Sequence, residues 1–186
     1  MYDWPEDGKL VIGGLTSDIA DAWFVRDKQK KSLIFSSVNG KDLEINLPLT
    51  APDTINTVIA LQVKTGKPAY PIRLLNPQKD NTLLTFDAQL TGKELTYGDG
   101  KMFRNYISNW TNTGQFMEWK LRTGEPVKYD IYMDYNTSGK EDSGTVIIEI
   151  AGKTFEVAYI PYTEDKGQNR LFVGNIALDK GEFECR

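Results

Sequence analysis

The segment from Asn105 to Gly114 reads NYISNWTNTG and places aromatic rings among amide and hydroxyl side chains. Trp110 lies there between Asn109 and Thr111, in a stretch that predicts a loop. An exposed ring with hydrogen-bonding groups at its rim can bind a ligand by stacking, which is recognition chemistry and not catalysis. A second interpretation stays open, in which Trp110 closes the end of a core, buries its ring and hydrogen-bonds its indole N–H.

Side chains that perform common catalytic chemistry are scarce. The chain has no histidine, which excludes Ser-His triads, Cys-His pairs and the common zinc sites. Its single cysteine, Cys185, cannot form an internal disulfide, and the alternation around it predicts a strand residue. The VIGGLTSD segment lacks the lysine and the spacing of a phosphate-binding loop. Paired acids such as Glu164 and Asp165 remain, but adjacent acids in a polar loop predict solvation and not catalysis.

Composition and charge are those of an ordinary globular protein. The 186 residues fit one domain or two small ones, with 40% hydrophobic and 26% charged residues. The formal net charge is −4 and no basic block occurs, so nucleic acid is not the expected partner. No apolar run has the length of a membrane span, so no membrane partner is expected either. MYDWPEDGKL shows neither the basic start nor the apolar stretch of a signal peptide.

Apolar alternation and turn signals predict strands in the first third of the chain. KSLIFSSV and KDLEINLP flank Asn39-Gly40, which predicts a hairpin because this pair tolerates the positive φ angles of a type I′ turn. Leu43, Ile45 and Leu47 alternate with polar residues, which predicts one buried face. GKLVIGGL and TVIALQV predict further strands, and the aromatic and β-branched residues around Trp23 favour a strand over a helical turn.

A proline-rich segment from Thr65 to Asn81 interrupts this pattern. It reads TGKPAYPIRLLNPQKDN. Proline cannot donate a hydrogen bond to a ladder, so the segment predicts a connector and not a strand. We therefore predict two domains, residues 1–68 and residues 69–186, that meet near residues 66 to 80.

The second part of the chain is again patterned like strands. VKYDIYMDY and GQFMEWKL alternate apolar with polar residues, and TVIIEI and TFEVAYI flank a short glycine-containing turn. No helix-period pattern of useful length occurs. Many short strands separated by turns predict an all-β chain that forms two antiparallel β-sandwiches.

The order of these segments resembles a known enzyme family. GKLVIGGL, the Asn-Gly hairpin and LPLTAPDTINTVIALQVKTG resemble the small antiparallel sandwich behind the catalytic barrel of α-L-fucosidases, glycoside hydrolase family 29. LTFDAQLTG, NYISNWTNTGQFMEWKL, VKYDIYMDY and VIIEIAGKTFEV resemble the galactose-binding-like jelly rolls appended to such enzymes. Those jelly rolls are similar to family 6 and family 35 carbohydrate-binding modules. Together the two resemblances span nearly the whole chain.

The resemblance implies an accessory role. The family's catalytic carboxylates lie on a (β/α)₈ barrel, which no part of this chain resembles, so no residue inherits a catalytic role. The implied partners are carbohydrate and the catalytic barrel of a longer parent chain, and the implied location is secreted or periplasmic. Family members also continue for one strand beyond the position of EFECR. Two hypotheses follow: an accessory region whose second domain binds carbohydrate, or a structural tail that packs on the barrel without a ligand of its own.

The resemblance also implies where sugar would bind. Modules similar to family 6 hold sugars in a loop-rimmed cleft at one end of the sandwich, stacked on aromatic rings. The candidate carbohydrate-binding residues are Tyr106, Asn109, Trp110 and Asn112 in one loop and Tyr162, Asn169 and Arg170 in another. The second loop, YTEDKGQNR, lacks the family's usual ring, for which Tyr162 would have to substitute, and its other interpretation is a solvated polar loop. Trp23 and Phe24 lie in an apolar run that predicts packing.

Related modules often hold a structural calcium near their first strand, on carboxylate and carbonyl oxygens. Asp87 is the nearest counterpart, although the paired glutamates of the usual motif are not present. DYNTSGKEDSG, from Asp134 to Gly144, is acidic but lacks EF-hand spacing, which predicts a surface hairpin loop. No cofactor is required, and structural calcium at Asp87 is an expectation that follows from the resemblance alone.

Overall fold

The structure, a computed structural model, describes residues 4–53, 55–101, 104–137, 139, 141–161 and 169–186. Within those ranges 48% of the chain is strand, and one 3₁₀ turn, Thr85–Asp87, occurs without any α-helix. The strand pairs are antiparallel. The all-β antiparallel fold predicted from alternation is therefore confirmed. In the described ranges no helix has the length and apolarity that crossing a membrane requires.

The chain divides into two compact units, Met1–Arg73 and Leu74–Arg186. The division falls inside the proline-rich segment, a few residues after the predicted boundary at Pro68. The prolines interrupt the ladder on one side of the division, and strands resume on the other side.

Unit 1 contains two small sheets. Its strands are β1 (Lys9–Ile12), β2 (Asp18–Phe24), β3 (Phe35–Val38), β4 (Asp42–Asn46) and β5 (Ile59–Thr65). One sheet has the order β1-β4-β3, and β2 pairs with β5.

The core of unit 1 follows the predicted alternation. Leu43, Ile45 and Leu47 are buried together, and Phe24 packs against them from β2. Asn39-Gly40 joins β3 to β4 with φ angles of 54° and 65°, as a type I′ turn requires. The region around Trp23 is a strand and not a helical turn, as the aromatic and β-branched content indicated.

Unit 2 contains one large sheet and two strand pairs. Its first strand, β6 (Arg73–Leu74), begins at the last residue of unit 1. The others are β7 (Gln89–Thr91), β8 (Thr96–Tyr97), β9 (Ile107–Ser108), β10 (Phe116–Thr123), β11 (Val127–Tyr135), β12 (Gly144–Ile150), β13 (Lys153–Tyr159), β14 (Asn169–Leu178) and β15 (Gly181–Cys185). The large sheet has the order β13-β12-β15-β10-β6, and β7 also pairs with β10. The separate pairs are β11-β14 and β8-β9.

The core of unit 2 lies between the large sheet and the β11-β14 pair. Leu121, Ile150 and Cys185 come from the large sheet, and Ile176 and Leu178 come from β14. Side chains on β11 alternate between partly buried and exposed positions, as predicted for VKYDIYMDY. One face of β11 therefore joins the core and the other faces solvent.

Candidate functional site

The short hairpin β8-β9 positions the loop that carries the candidate rings. Thr96 pairs with Ser108, and Tyr97 pairs with Ile107. Because successive strand side chains point to opposite faces, Tyr97 and Ile107 share one face. Tyr106 precedes Ile107 and therefore shares the other face with Thr96 and Ser108.

Trp110 lies two residues beyond Ser108, the last residue of β9, and it is 46% exposed. The indole Nε1–H donates to the carbonyl oxygen of Ile107 at 2.9 Å. The interpretation in which Trp110 closes the end of a core requires both a hydrogen-bonded N–H and a buried ring. The N–H is hydrogen-bonded, but Trp110 is not buried. Its exposed surface remains open for stacking.

Polar side chains lie on the face of the hairpin that carries Tyr106, a residue that is 41% exposed. The Asn109 Nδ2 donates to the Glu94 carbonyl at 3.1 Å and to Thr96 Oγ1 at 3.2 Å. The hydroxyls of Thr96 and Ser108 lie 2.9 Å apart. Asn109 holds φ at +69°, a left-handed conformation that asparagine tolerates better than most residues. An amide and two hydroxyls are therefore held in fixed positions on the same face as this ring.

A buried glutamine fixes the conformation of the loop around Trp110. Gln115 Oε1 accepts from the backbone N–H of Thr111 at 2.6 Å and of Asn112 at 3.1 Å. Its Nε2 donates to the carbonyls of Lys93 at 2.6 Å and Asn109 at 3.2 Å. One side chain thus satisfies four backbone groups on two segments. No pattern in the sequence distinguishes Gln115 from other polar residues, and the sequence analysis missed it.

Asn112 shapes its own turn. Its Oδ1 accepts from the backbone N–H of Gly114 at 3.0 Å, and its Nδ2 lies 3.4 Å from Thr111 Oγ1. The side chain is exposed, but its local hydrogen bonds assign it to the loop structure first.

Two further exposed rings lie on the hairpin and beside it. Phe86 and Tyr97 stack with centroids 5.6 Å apart and planes inclined by 27°. The Tyr97 hydroxyl donates to the carbonyl of Ala88 at 3.1 Å, which fixes one end of the stack. A Cβ on Gly100 would lie 3.5 Å from the Phe86 ring, an ordinary contact. The sequence analysis missed this pair because nothing in the spacing of Phe86 and Tyr97 indicates their contact.

The second predicted loop contributes strand residues to a different sheet. Asn169 and Arg170 begin β14 and pair with Tyr135 and Asp134 of β11, whereas Trp110 follows β9. The Asn169 Nδ2 donates to the Tyr135 hydroxyl at 2.8 Å. Tyr162, and the acids Glu164 and Asp165, lie outside the described residues.

Arg170 forms a bidentate ion pair. Its Nε and Nη2 donate to the two carboxylate oxygens of Asp134 at 2.8 and 2.9 Å. The hydrogen-bonded guanidinium lowers the pKa of the Asp134 carboxyl from its usual value. Arg170 is therefore an ordered strand residue and not part of a solvated loop.

Asp87 is the residue to which the resemblance assigns a structural calcium. It ends the 3₁₀ turn and is exposed. Across the described part of the chain, no three histidine, cysteine, aspartate or glutamate side chains converge where they could hold a metal ion. The calcium expectation stays an implication of the resemblance, and no property of the site depends on it.

The fold places the chain in the class of all-β antiparallel proteins. Comparison with solved structures found a protein with a similar fold. The chain is similar to an α-L-fucosidase from Vibrio sp. strain EJY3, with a TM-score of 0.51 and 14% identity over 98% of this chain. It spans 32% of the length of that protein. At this identity the likeness shows a shared fold alone. No family model matches the chain, and no curated protein matches it.

Proposed function

We propose that the chain is a non-catalytic accessory region of an α-L-fucosidase and that its second unit binds carbohydrate at the hairpin β8-β9. The observation that carries the proposal is the exposure of Trp110 and Tyr106 beside ordered amide and hydroxyl groups. Large rings exposed in polar surroundings, and held there by hydrogen bonds, are typical of recognition surfaces.

The chemistry of the hairpin suits a pyranose. The apolar C–H face of a sugar ring packs on an aromatic face, while its hydroxyls need donors and acceptors at the rim. Trp110 supplies an aromatic ring face, and its indole N–H already donates to the carbonyl oxygen of Ile107. Asn109, Thr96 and Ser108 supply an amide and two hydroxyls on the face that carries Tyr106. Because the loop is already ordered by Gln115, little conformational entropy is lost on binding.

A non-catalytic role is supported by the fold. The described strands pair in antiparallel ladders, unlike the parallel strands of the barrel that carries the family's catalytic carboxylates. The fold neighbour is an α-L-fucosidase of which this chain spans only about a third. A match to only part of such an enzyme is compatible with an accessory region.

The test is a glycan-array screen of the whole chain. We expect binding to at least one glycan, and we expect the Trp110→Ala variant to lose that signal. The matched control is Ile55→Ala, which removes an 81% exposed apolar side chain from unit 1 and leaves unit 2 intact. A chain that binds no glycan on the array would contradict the proposal.

A second candidate function, a structural tail that packs on a catalytic barrel, is favoured by the surface of unit 1. One end of this unit, where β1 and β5 begin and β2 and β4 end, exposes several aliphatic side chains. These residues, here called the aliphatic end, are Val25, Ile34, Leu49, Ile55 and Val58. Trp4 contacts residues from both sheets at this end. The centroid of its ring lies 6.3 Å from that of Phe24, and its Nε1–H donates to the carbonyl oxygen of Pro48. Their clustering at one end of the unit is the observation that supports contact with another protein surface.

Dye binding separates the two candidates. The structural-tail function predicts that the aliphatic end binds an environment-sensitive hydrophobic dye. The double variant Leu49→Lys, Ile55→Lys should abolish that fluorescence, while Trp110→Ala should leave it unchanged. Dye fluorescence from the aliphatic end together with a blank glycan array would favour the structural tail over the carbohydrate-binding function.

A further inference from the structure

The outer face of the β11-β14 ribbon carries a second pair of exposed rings. Tyr129 and Ile131 of β11 pack against the core of unit 2, so the alternate side chains point outward. The outward cross-strand pairs are Asp130 with Asn175, Tyr132 with Phe172, and Asp134 with Arg170. The two rings therefore lie at the centre of a row of polar pairs.

Both central rings remain open to solvent. Tyr132 is 51% exposed and Phe172 is 50% exposed. Their centroids are 5.4 Å apart, and their planes are inclined by 57°. A cross-strand aromatic pair stabilises a ribbon, and this contact uses only part of each ring. The remaining ring surface is available to a ligand that lies on the sheet.

The polar pairs on either side of the rings are held in place before any ligand binds. Arg170 forms its bidentate pair with Asp134, and its guanidinium carbon lies 5.9 Å from the centroid of the Tyr132 ring. On the other side the Asn175 amide donates to the Asp130 carboxylate. A carboxylate has about four acceptor sites and a guanidinium five N–H donors, so each pair keeps hydrogen-bonding capacity beyond its internal bonds. This preorganisation reduces the entropic cost of binding.

We propose that this outer face, defined by Asp130, Tyr132, Asp134, Arg170, Phe172 and Asn175, is a second carbohydrate-binding surface for a neutral glycan chain. Outward residues on one strand are about 7 Å apart, so the row from Asp130 to Asp134 spans roughly 14 Å. That length accommodates more than one sugar ring along the strand direction. The inference goes beyond the hairpin site, because it rests on residues of another sheet and needs none of the β8-β9 side chains.

Charge on the face favours a neutral ligand. The outward Lys128 and Arg170 are matched by the outward Asp130 and Asp134, and Asp80 adds a further negative charge near Arg170. The face therefore has no positive excess that would attract phosphate backbones or other polyanions. A protein partner fits less well, because charged residues are depleted in the core of protein interfaces and here they border both rings closely. A polyhydroxyl ligand with apolar ring faces matches both the aromatic pair and its polar rim.

The test is affinity electrophoresis of the whole chain in gels containing galactomannan, xyloglucan, arabinoxylan or mixed-linkage β-glucan. We expect at least one polysaccharide to retard the wild-type chain, and retardation should persist in 0.5 M NaCl, because the ligand is neutral. The double variant Tyr132→Thr, Phe172→Thr keeps β propensity but removes both rings, and it should weaken binding at least about tenfold. The matched control Tyr132→Phe, Phe172→Tyr keeps two rings and should retain most of the binding.

The outcomes separate this face from the hairpin site. Retardation that falls in the double threonine variant and survives in Trp110→Ala supports the second surface. Retardation that is lost only in Trp110→Ala overturns it and leaves the hairpin site standing. The proposal is overturned if none of the four polysaccharides retards the wild-type chain. It is also overturned if the chain binds no glycan and sedimentation shows that the wild type is a dimer, whereas the double threonine variant is a monomer. If the double variant loses cooperative unfolding, the single variants Tyr132→Thr and Phe172→Thr replace it, and each should weaken binding at least about threefold.

Discussion

Two tryptophans of unit 2 show how local environment decides the role of one residue type. Trp119 lies in β10 and packs against the core, and its Nε1 donates to the Leu84 carbonyl at 2.9 Å. Trp110 follows β9 and remains nearly half exposed. Alternation predicted the strand position of Trp119. No periodicity applies to the loop, so its sequence left the burial of Trp110 open, and only the long-range contacts of the fold decide it.

Removing either ring should therefore have different effects on stability. We predict that Trp119→Ala lowers the free energy of unfolding by about 3 to 5 kcal/mol, as large core truncations do. Trp110→Ala should cost only about 1 to 2 kcal/mol, because much of its ring already contacts water and one hydrogen bond is lost. Urea denaturation of the two variants and the wild type measures both values. Equal losses would show that Trp110 is a core residue after all.

Cys185 gives a prediction about alkaline pH. Burial raises the pKa of its thiol to about 11, so the folded state keeps the proton more tightly than the unfolded state does. Stability from this group is fully present below the unfolded pKa near 9 and is lost as pH rises through about 11. The stability advantage of the wild type over Cys185→Ala should shrink by about 2 kcal/mol between pH 8 and pH 11. Urea titrations across that range test it, and a difference that does not change with pH would contradict it.

At the scale of elements, the sequence predicted what depends on local chemistry. The alternation of β11 and the Asn39-Gly40 turn need only neighbouring residues, and both are confirmed. The prediction that Asn169 and Arg170 lie in a loop was wrong, because pairing with β11 extends β14 to the end of that polar stretch. The Phe86–Tyr97 stack and the Gln115 bonds depend on contacts between separate segments, so no local pattern could indicate them.

The Gln115 bonds predict a stability loss with a specific pH dependence. In Gln115→Glu the introduced carboxylate would face the carbonyl oxygens of Lys93 and Asn109 with no N–H to donate. At pH 7 the variant should lose at least about 2 to 3 kcal/mol, because a buried charge and two acceptors are left unsatisfied. We expect burial and the two facing carbonyl oxygens to raise the folded-state pKa of the new carboxyl by more than the N–H groups of Thr111 and Asn112 lower it. The loss should then be smallest below about pH 4 and grow as pH rises.

Thermal or urea unfolding at pH 4 and pH 7 measures this effect. The control is Gln115→Ala, which also removes the bonds but adds no titrating group. Its loss relative to the wild type should stay nearly constant between the two pH values. A Gln115→Glu loss that is equally constant would show that the introduced carboxyl does not titrate in a buried environment.

At the scale of the whole molecule, composition and strand pattern predicted the all-β class, and the structure confirms it. The proline-rich segment predicted a division of the chain, and the last residue of unit 1 and the first of unit 2, Arg73 and Leu74, lie within that segment. The position of the division was less predictable, because Leu74 and Leu75 take part in unit 2 through β6 and the core.

The accessory role predicts that the chain alone hydrolyses no glycoside. Purified protein incubated with an aryl α-L-fucoside should release nitrophenol no faster than a buffer blank. The reason is that the family's catalytic carboxylates lie on a barrel of parallel strands, whereas the described strands of this chain pair in antiparallel ladders. Release above the blank that co-purifies with the chain through two chromatography steps would contradict this role.

The central claim is that the rings of the β8-β9 hairpin bind carbohydrate, and calorimetric titration tests it most directly. The glycan with the strongest array signal is titrated into three proteins. These are the wild type, the double variant that carries both Tyr106→Ala and Trp110→Ala, and the Ile55→Ala control. We predict that the double variant stays folded and loses at least about tenfold in affinity, or about 1.4 kcal/mol, while the control binds as the wild type does. Unchanged affinity in a folded double variant would contradict the claim.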